Sequence, residues 1–494
     1  MARLQDRCTR DNEVPSSTAR GRCREGNQLS AKEPSEYRER ELKFDAPADW
    51  VLPDLSDAVP PGAVIERQEV RLTTTYYDTP GRDLFESRIT LRRREGDIDT
   101  GWQLKVPDGD ARLEIREDDA GADLPASLDA MTLGLRGGAV LDALATLRTA
   151  RAIHRVVADG KALAEIVVDD VTSEVTGEPA ATQRWREVEV ELVDGDEALL
   201  QQLGAWLQTQ GVQPAASGSK LASALGAPRA KRDMSTMAGL IASYLDQQVE
   251  VIIRGDLDIR RGRNAIHPTR VATRRYRSVL RVFAKAFATD RAALLDGELA
   301  WYAAALGEVR DRHVLREQLD TSLNALPADL VAASAASRIN EALDAELQQA
   351  EGALTEVMCS DRYYALLRSI RVFRDQLPGL ADQPALAAAR YVRKAERAVA
   401  HRLDKANESG DEQALHRVRK AAKRARYVAE AAEPALGEDA AKLASRAHKT
   451  QRSLGNRRDA LLVTEFLLRL GAGADGFALG VLYERERARL QMEA

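Results

Sequence analysis

The chain has 494 residues, 44% hydrophobic and 30% charged, which suits a soluble protein of two or three domains with ordinary cores. No run of about 18 apolar residues occurs, which excludes a helical membrane span, and the polar, basic N-terminus lacks the apolar stretch of a secretory signal. The net charge of −5 hides an asymmetry: residues 35–230 carry −14 and residues 231–494 carry +7. An acidic half joined to a basic half predicts modules that hold different ligands, or one ligand in different ways. Three cysteines, Cys8, Cys23 and Cys359, lie too far apart for zinc spacing or a disulfide framework, so a reducing cytoplasm is expected.

Residues 1–34 mix Arg, Ser, Asn, Gly and Pro without periodicity and are expected to be a disordered extension. From 35 to 224 the chain alternates as strands do. Examples are Glu39–Phe44, Val70–Tyr77, Ile89–Arg94, Trp102–Val106, Leu163–Val168 and Trp185–Leu192. Leu141–Leu147 and Glu197–Thr209 read as helices. Residues 225–234 read as a linker. From 235 to 494 strand signals vanish, and alanine-rich segments of helical period run to the end. The expected class is multidomain α+β, an antiparallel sheet or barrel followed by an all-α half.

Alternate residues of a strand share a face. Glu39, Glu41 and Lys43 therefore point one way, as do Arg92 and Arg94, and Glu187, Glu189 and Glu191. A solvated outer face would explain any one such strand. Several in one domain favour a closed barrel with a charged interior. Carboxylates crowded in a lumen repel unless a cation or proton intervenes, and oxygen-only ligands suit Mg²⁺ or Mn²⁺. Lys43, Arg92, Arg94 and Lys105 would hold phosphate oxygens by charge-assisted hydrogen bonds.

Glu39-x-Glu41-x-Lys43, followed by Thr75–Pro80, Leu91–Arg94, Leu104-Lys105, a basic strand near Arg148 and Arg151, Asp169-Asp170-Val171, Glu187-x-Glu189 and Ser219-Lys220, resembles the CYTH, or triphosphate tunnel metalloenzyme, superfamily. The resemblance implies an eight-stranded antiparallel tunnel with flanking helices that acts on triphosphate compounds with Mg²⁺ or Mn²⁺. Carried over, it makes Glu39, Glu41, Lys43, Glu187 and Glu189 catalytic. Glu39, Glu41, Asp169, Glu187 and Glu189 would hold the metal; Lys43, Arg92, Arg94, Lys105, Arg151 and Lys220 would grip the substrate. Arg151 is preferred over Arg148 and Arg155, and Asp169 narrowly over Asp170. Glu191 shares the acidic face, near the tunnel mouth. Tyr77 and Trp102 are expected to pack.

The basic half carries one signature twice. Ile266–Arg277 and Leu415–Arg426 share apolar-His-x-x-Arg-x-x-x-(Arg/Lys)-Arg-x-Arg, and Leu306–Asp311 is echoed by Leu454–Asp459. At about 100° per residue, His267, Arg270, Arg274 and Arg277 form one helical stripe, flanked by Arg275. His416, Arg419, Lys423 and Arg426 form another, flanked by Arg424. A solvated face would explain one stripe; duplication with the histidine retained favours a polyanion site. Pro268 suits the first helical position, and Arg310-Asp311 and Arg458-Asp459 are expected to brace the stripes. These motifs resemble the CHAD family, which implies two pseudo-symmetric four-helix bundles around a basic groove that binds inorganic polyphosphate.

The leading expectation is a cytoplasmic enzyme. Its tunnel would hydrolyse inorganic triphosphate or a related triphosphate, and its helical half would bind polyphosphate. The alternative is a non-catalytic polyphosphate-binding protein on polyphosphate granules. Nucleic acid is disfavoured because stacking aromatics are scarce in the basic half, and no membrane partner is expected.

Overall fold

The computed structural model describes residues 35–494 except 109–110, 118–120, 178–181, 227–231, 288–289, 327–332, 378, 410–411, 454–455, 472–475 and 493–494. The expected disordered extension, 1–34, and residues 227–231 of the expected linker lie outside the described residues. Two compact units divide the chain, Met1–Ala230 and Lys231–Ala494. Among the described residues no helix is long and apolar enough to cross a membrane.

In the first unit ten strands form one antiparallel sheet. They are β1 (Ser35–Glu39), β2 (Glu41–Ala46), β3 (Val64–Asp78), β4 (Thr90–Gly96), β5 (Gly101–Asp108), β6 (Ala111–Glu117), β7 (Asp142–Ala158), β8 (Lys161–Val175), β9 (Gln183–Leu192) and β10 (Gln213–Pro214). Their order is β1-β6-β5-β4-β3-β7-β8-β9-β2-β10. This corrects the expected closed eight-stranded tunnel: there are ten strands, in a hydrogen-bonded row with two ends. The flanks of that row are nevertheless one piece of chain. Arg40 alone separates β1, which pairs with β6, from β2, which pairs with β9. The sheet must therefore curl until its flanks meet near Arg40.

Among the described residues four helices accompany it: α1 (Asp83–Glu86), α2 (Ala126–Thr132), α3 (Glu197–Thr209) and α4 (Lys220–Leu225). The Asp196 side chain caps α3 by accepting the Leu199 N–H. Leu199, Leu200, Leu203 and Leu207 then pack against Phe44, Ile166, Val188 and Val190, each leucine contributing about 1.5–3 kcal/mol. Ser219 caps α4 by accepting the Ala222 N–H, which fixes Lys220 in the first turn. Leu221 and Ala222 join Tyr76, Leu147 and Val171 in a second cluster. The helix expected over Leu141–Leu147 is instead the start of β7. Pairing with β3 on one side and β8 on the other outweighs the helix propensity of its alanines and leucines.

Ten α-helices are described in the second unit: α5 (Met237–Arg260), α6 (Ile266–Val282), α7 (Arg291–Asn324), α8 (Ala333–Met358), α9 (Asp361–Asp375), α10 (Ala388–Ser409), α11 (Glu412–Leu436), α12 (Glu438–Ser453), α13 (Asn456–Leu470) and α14 (Gly476–Met492). Segments far apart in sequence share a core. Val463, Phe466, Leu479 and Leu482 of α13 and α14 share one core with Leu315, Leu319, Ile339 and Leu343 of α7 and α8. Gly255 lets α5 approach α6 closely, since a Cβ there would lie 1.8 Å from Thr269 Oγ1. Cys359 is buried, and Cys8 and Cys23 lie outside the described residues.

Candidate functional site

Strand register gathers the charges of the first unit. Glu41 stands beside Glu191 and Lys43 beside Glu189 across β2–β9; Asp169 stands beside Glu187 across β8–β9. Arg151 on β7 faces Asp169, and Lys105 on β5 faces Glu114 on β6. The curl turns these side chains towards one shared cavity, whose lining includes Glu39, Glu41, Lys43, Arg92, Arg94, Lys105, Arg151, Glu189 and Lys220. Glu187 and Asp169, both buried, join through Lys220, whose Nζ lies 2.9 Å from Asp169, 2.6 Å from Glu187 and 2.9 Å from Glu189.

Two acid trios share Glu189. Glu41, Glu189 and Glu191 form one; Asp169, Glu187 and Glu189 form the other, with ligand oxygens within 4.8 Å of one another. Each trio contains a buried oxygen without a hydrogen bond, Glu41 Oε2 and Glu187 Oε1. These oxygens lie 3.0 Å from Lys43 Nζ and 2.6 Å from Lys220 Nζ, respectively, without hydrogen-bond geometry. All ligands are hard carboxylate oxygens, so the set fits Mg²⁺ or Mn²⁺.

The cations are mostly compensated. Arg151 makes a bidentate pair with Asp169 at 2.9 and 2.7 Å and reaches Glu189 at 3.2 Å. Lys105 holds Glu39 at 2.7 Å and Glu114 at 2.8 Å. Arg92 donates to Gln103 at 2.7 Å and Glu114 at 3.3 Å. Burial would raise the Glu189 carboxyl, but Lys220, Lys43 and Arg151 hold it well below its ordinary value. Burial, then Glu189 and Glu41, push Glu191 up to about 7.

Arg94 differs. It is only 6% exposed, its Nε has no hydrogen bond, and its ion pair with Asp99 is long at 3.5 Å. Burial, then the neighbouring Arg92 and Arg151, lower its guanidinium to about 10. A buried cation so poorly compensated is a place for an anion.

The structure places the alternatives for two positions differently. Arg151 enters the cavity, whereas Arg148 pairs with Glu174 and Arg155 with Glu165 on more exposed ground. Asp169 is fully buried, while the carboxylate of Asp170 pairs with Arg186 and is 54% exposed. Glu39 stands in neither acid trio. Tyr77 and Trp102 stack with ring centroids 4.8 Å apart. Sequence reasoning missed Glu114, fully buried and held far below its ordinary value by Lys105 and Arg92 against the cost of burial. It also missed Arg112, Arg116 and Asp99 in the lining. The alternation Arg112-x-Glu114-x-Arg116 carried the same charged-face signal as the strands that were singled out.

In the second unit α6 and α11 meet through their basic stripes. Arg274 Nε donates to Tyr427 Oη at 3.0 Å, and Arg274, Arg275 and Arg426 stand 5.6–5.8 Å from the centre of the Tyr427 ring. Glu430 pairs with Arg275 at 3.2 Å and Arg426 at 2.7 Å; Arg277 pairs with Asp296 at 3.0 Å. Arg270 lies against Gly307, where a side chain would crowd it, which gives the Leu306-Gly307 echo a steric reason. His267 and His416 are exposed near the N-terminal ends of their helices. Pro268 is the third helical residue rather than the first. Arg310 reaches Glu317 at 4.0 Å and adds its charge beside His267. Arg419, Lys423 and Arg424 lie part-buried on α11, while the side chains of Arg458 and Asp459 lie outside the described residues.

Fold and site together define a chain of two modules, a curled sheet with a charged interior and a helical unit with paired basic helices. Residues 38–217 match the CYTH domain and residues 243–468 the CHAD domain. Uncharacterized proteins of Mycobacterium tuberculosis strains CDC 1551 / Oshkosh and H37Rv are each 33% identical over 503 residues, covering 94% of this chain and 97% of the relative. Among solved structures, the CHAD domain from the plant Ricinus communis is 21% identical, with a TM-score of 0.45, over 52% of this chain and 88% of its own. A putative adenylyl cyclase from Hippeastrum, described as having a dominant triphosphatase activity, is 19% identical, with a TM-score of 0.24, over 38% of this chain and 96% of its own. The chain belongs to the family that joins a CYTH domain to a CHAD domain.

Proposed function

We propose that the sheet unit hydrolyses inorganic triphosphate or a related triphosphate with Mg²⁺ or Mn²⁺, and that the helical unit binds inorganic polyphosphate. One observation carries the first half: acid trios centred on Glu189 share a cavity with a set of buried cations that includes the under-compensated Arg94. Glu41, Glu189 and Glu191, or Asp169, Glu187 and Glu189, would hold the metal. When bound, it supplies charge neutralisation at the phosphoryl oxygens. Arg92, Arg94, Lys105 and Arg151 would position the phosphates, and Lys43 and Lys220, which pair with the acids in this structure, would add their charge beside them. The Asp169–Glu187–Glu189 wall orients water in line with the terminal phosphorus. The water oxygen bonds to phosphorus and the bridging P–O bond breaks; one water proton stays on the new phosphate, the other passes to the departing diphosphate oxygen, which stays among the arginines.

The helical half rests on the Arg274, Arg275 and Arg426 cluster, where the central Tyr427 ring carries no charge to cancel theirs. His267, Arg270, Arg277, His416, Arg419, Lys423 and Arg424 would extend that surface along both helices.

Phosphate release from tripolyphosphate with Mg²⁺ tests the enzyme reading. Glu41→Gln removes a charge from one acid trio and leaves the fold's apolar contacts alone. The expected fall in turnover is at least about 100-fold, the scale of losing a charge-stabilising group. Background release from both parent and variant would sink the proposal and leave a binding protein.

A further inference from the structure

The turn between β4 and β5 bends into the cavity rather than away from it. Three of its residues have positive φ: Gly96 at 142°, Asp99 at 51° and Gly101 at 113°. Gly96 is required there, since a Cβ would fall 2.2 Å from Arg71 O. Asp97 clamps the turn to β3, donating its N–H to Arg71 O and accepting the Arg71 N–H at 2.7 Å. Ile98 packs on the cluster of Val70, Leu72, Ile153 and Val167. Gln103 donates to Asp99 O at 3.0 Å while its own oxygen accepts from Arg92. The turn is thus anchored by backbone, by apolar packing and through a phosphate-class arginine.

What this anchoring delivers is the Asp99 carboxylate. Its Oδ1 lies 3.0 Å from Arg116 Nη1 and its Oδ2 3.5 Å from Arg94 Nη1. Carboxylate and phosphate oxygens compete for the same guanidinium donors. Arg94 has no carboxylate closer than this one among the described ion pairs, and its Nε is left unmatched.

We propose that Asp99 is a specificity-determining residue: an internal competitor that occupies Arg94 and Arg116 until a phosphate displaces it. The proposal rests on the triphosphate reading of the cavity. Weak or singly charged anions fail to displace a tethered carboxylate, whereas a ligand with several phosphates exchanges one contact for several. The Asp99 side chain is 33% exposed, so it can swing out to solvent without carrying the turn with it.

Asp99→Asn keeps the shape, loses the charge and tolerates the left-handed backbone, as asparagine does. Asp99→Gly fits that backbone without strain and serves as a second variant should the first misfold. Full-length parent and variants are assayed for tripolyphosphate hydrolysis with Mg²⁺. The expected result is a KM about three- to tenfold lower in both variants, the scale of relieving one solvent-screened ion pair. A merely structural role would move KM the other way. Unchanged or raised KM in both variants overturns the competitor while leaving the triphosphatase reading intact. No turnover by the parent overturns the triphosphatase reading and, with it, this one.

Discussion

Lys220→Met removes the ammonium that three buried carboxylates share and keeps the length of its stem. Lys220 Nζ lies within 2.9 Å of Asp169, Glu187 and Glu189, and its side chain is 10% exposed. Without it, oxygens within 4.8 Å of one another face each other with Lys43, Arg151 and the Trp185 N–H, which donates to Glu187 at 2.6 Å, as their remaining partners among the described contacts. At that separation and an effective dielectric of about 20, one like-charge pair costs about 3.5 kcal/mol. Relaxation and proton uptake reduce the total, so the net loss should be about 3–5 kcal/mol, typical of stranding a buried charge. For a unit of this size each kcal/mol lowers Tm by about 2–4 °C, giving a fall of about 6–20 °C in EDTA. A divalent cation should restore what the ammonium supplied. At about 100 times its Kd it returns about 2.7 kcal/mol, so Mg²⁺ or Mn²⁺ should raise Tm more in the variant than in the parent. Acid should act in the same sense. In the parent the depressed Glu189 carboxyl stabilises the fold above its unfolded value, and that contribution is lost as pH falls. In the variant the carboxylates repel, so protonating one relieves strain and the deficit narrows towards low pH. Thermal unfolding of both proteins, with and without metal, measures all of this. An unchanged Tm in EDTA, or equal metal-induced shifts, would refute the reasoning.

Reversing Arg274 and Lys423 to Glu together should weaken binding of long-chain polyphosphate at least about tenfold and leave tripolyphosphate turnover unchanged, as paired titration and phosphate-release assays would show. A matching loss of turnover would mean the units do not work separately. His267 supplies a pH dependence. Burial, then Arg310, Arg274 and Arg270, lower its imidazole below the ordinary value, and a bound phosphate offsets those cations. Binding should therefore take up a proton, and affinity should rise as pH falls through the free-state value. Calorimetry in two buffers of different ionisation heat checks it, with His267→Ala expected to abolish the proton uptake.

Much of the site was legible because a strand writes its faces into alternate residues. Glu187, Glu189 and Glu191 announce a charged face wherever β9 ends up. Choosing among Arg148, Arg151 and Arg155 was harder. Arg148 points to the opposite face, and Arg155, on the same face as Arg151, lies four pairs further along β7, towards Glu165. Only register with β8 separates these, and register is a property of the pairing. Leu141–Leu147 failed for a related reason: its apolar residues satisfy a helical period, and two neighbouring strands overrule it. Asp99 was invisible in sequence. Two aspartates between glycines read as an ordinary turn, and only the inward bend sets the Asp99 carboxylate on Arg94. The packing of the last two described helices hid in the same way, because α13 and α14 find their core on α7 and α8, far back in the chain.

The two units solve the storage of positive charge differently, and the difference bears on metal dependence. In the sheet unit Lys43, Lys105, Arg151 and Lys220 each hold carboxylates before any ligand arrives. A phosphate entering alone must break those pairs and strand the acids in a buried cavity, which costs several kcal/mol for each charge left unmatched. A phosphate entering with a divalent cation exchanges partners instead: the acids keep a cation and the lysines gain an anion. Metal and substrate should accordingly bind with positive coupling, independent of any role in the chemical step. In the helical unit Arg274, Arg275 and Arg426 converge on a neutral tyrosine ring, and only part of their charge is answered by Glu430. An anion there meets uncancelled charge and needs no cation to accompany it. Its binding should therefore follow ionic strength rather than metal concentration.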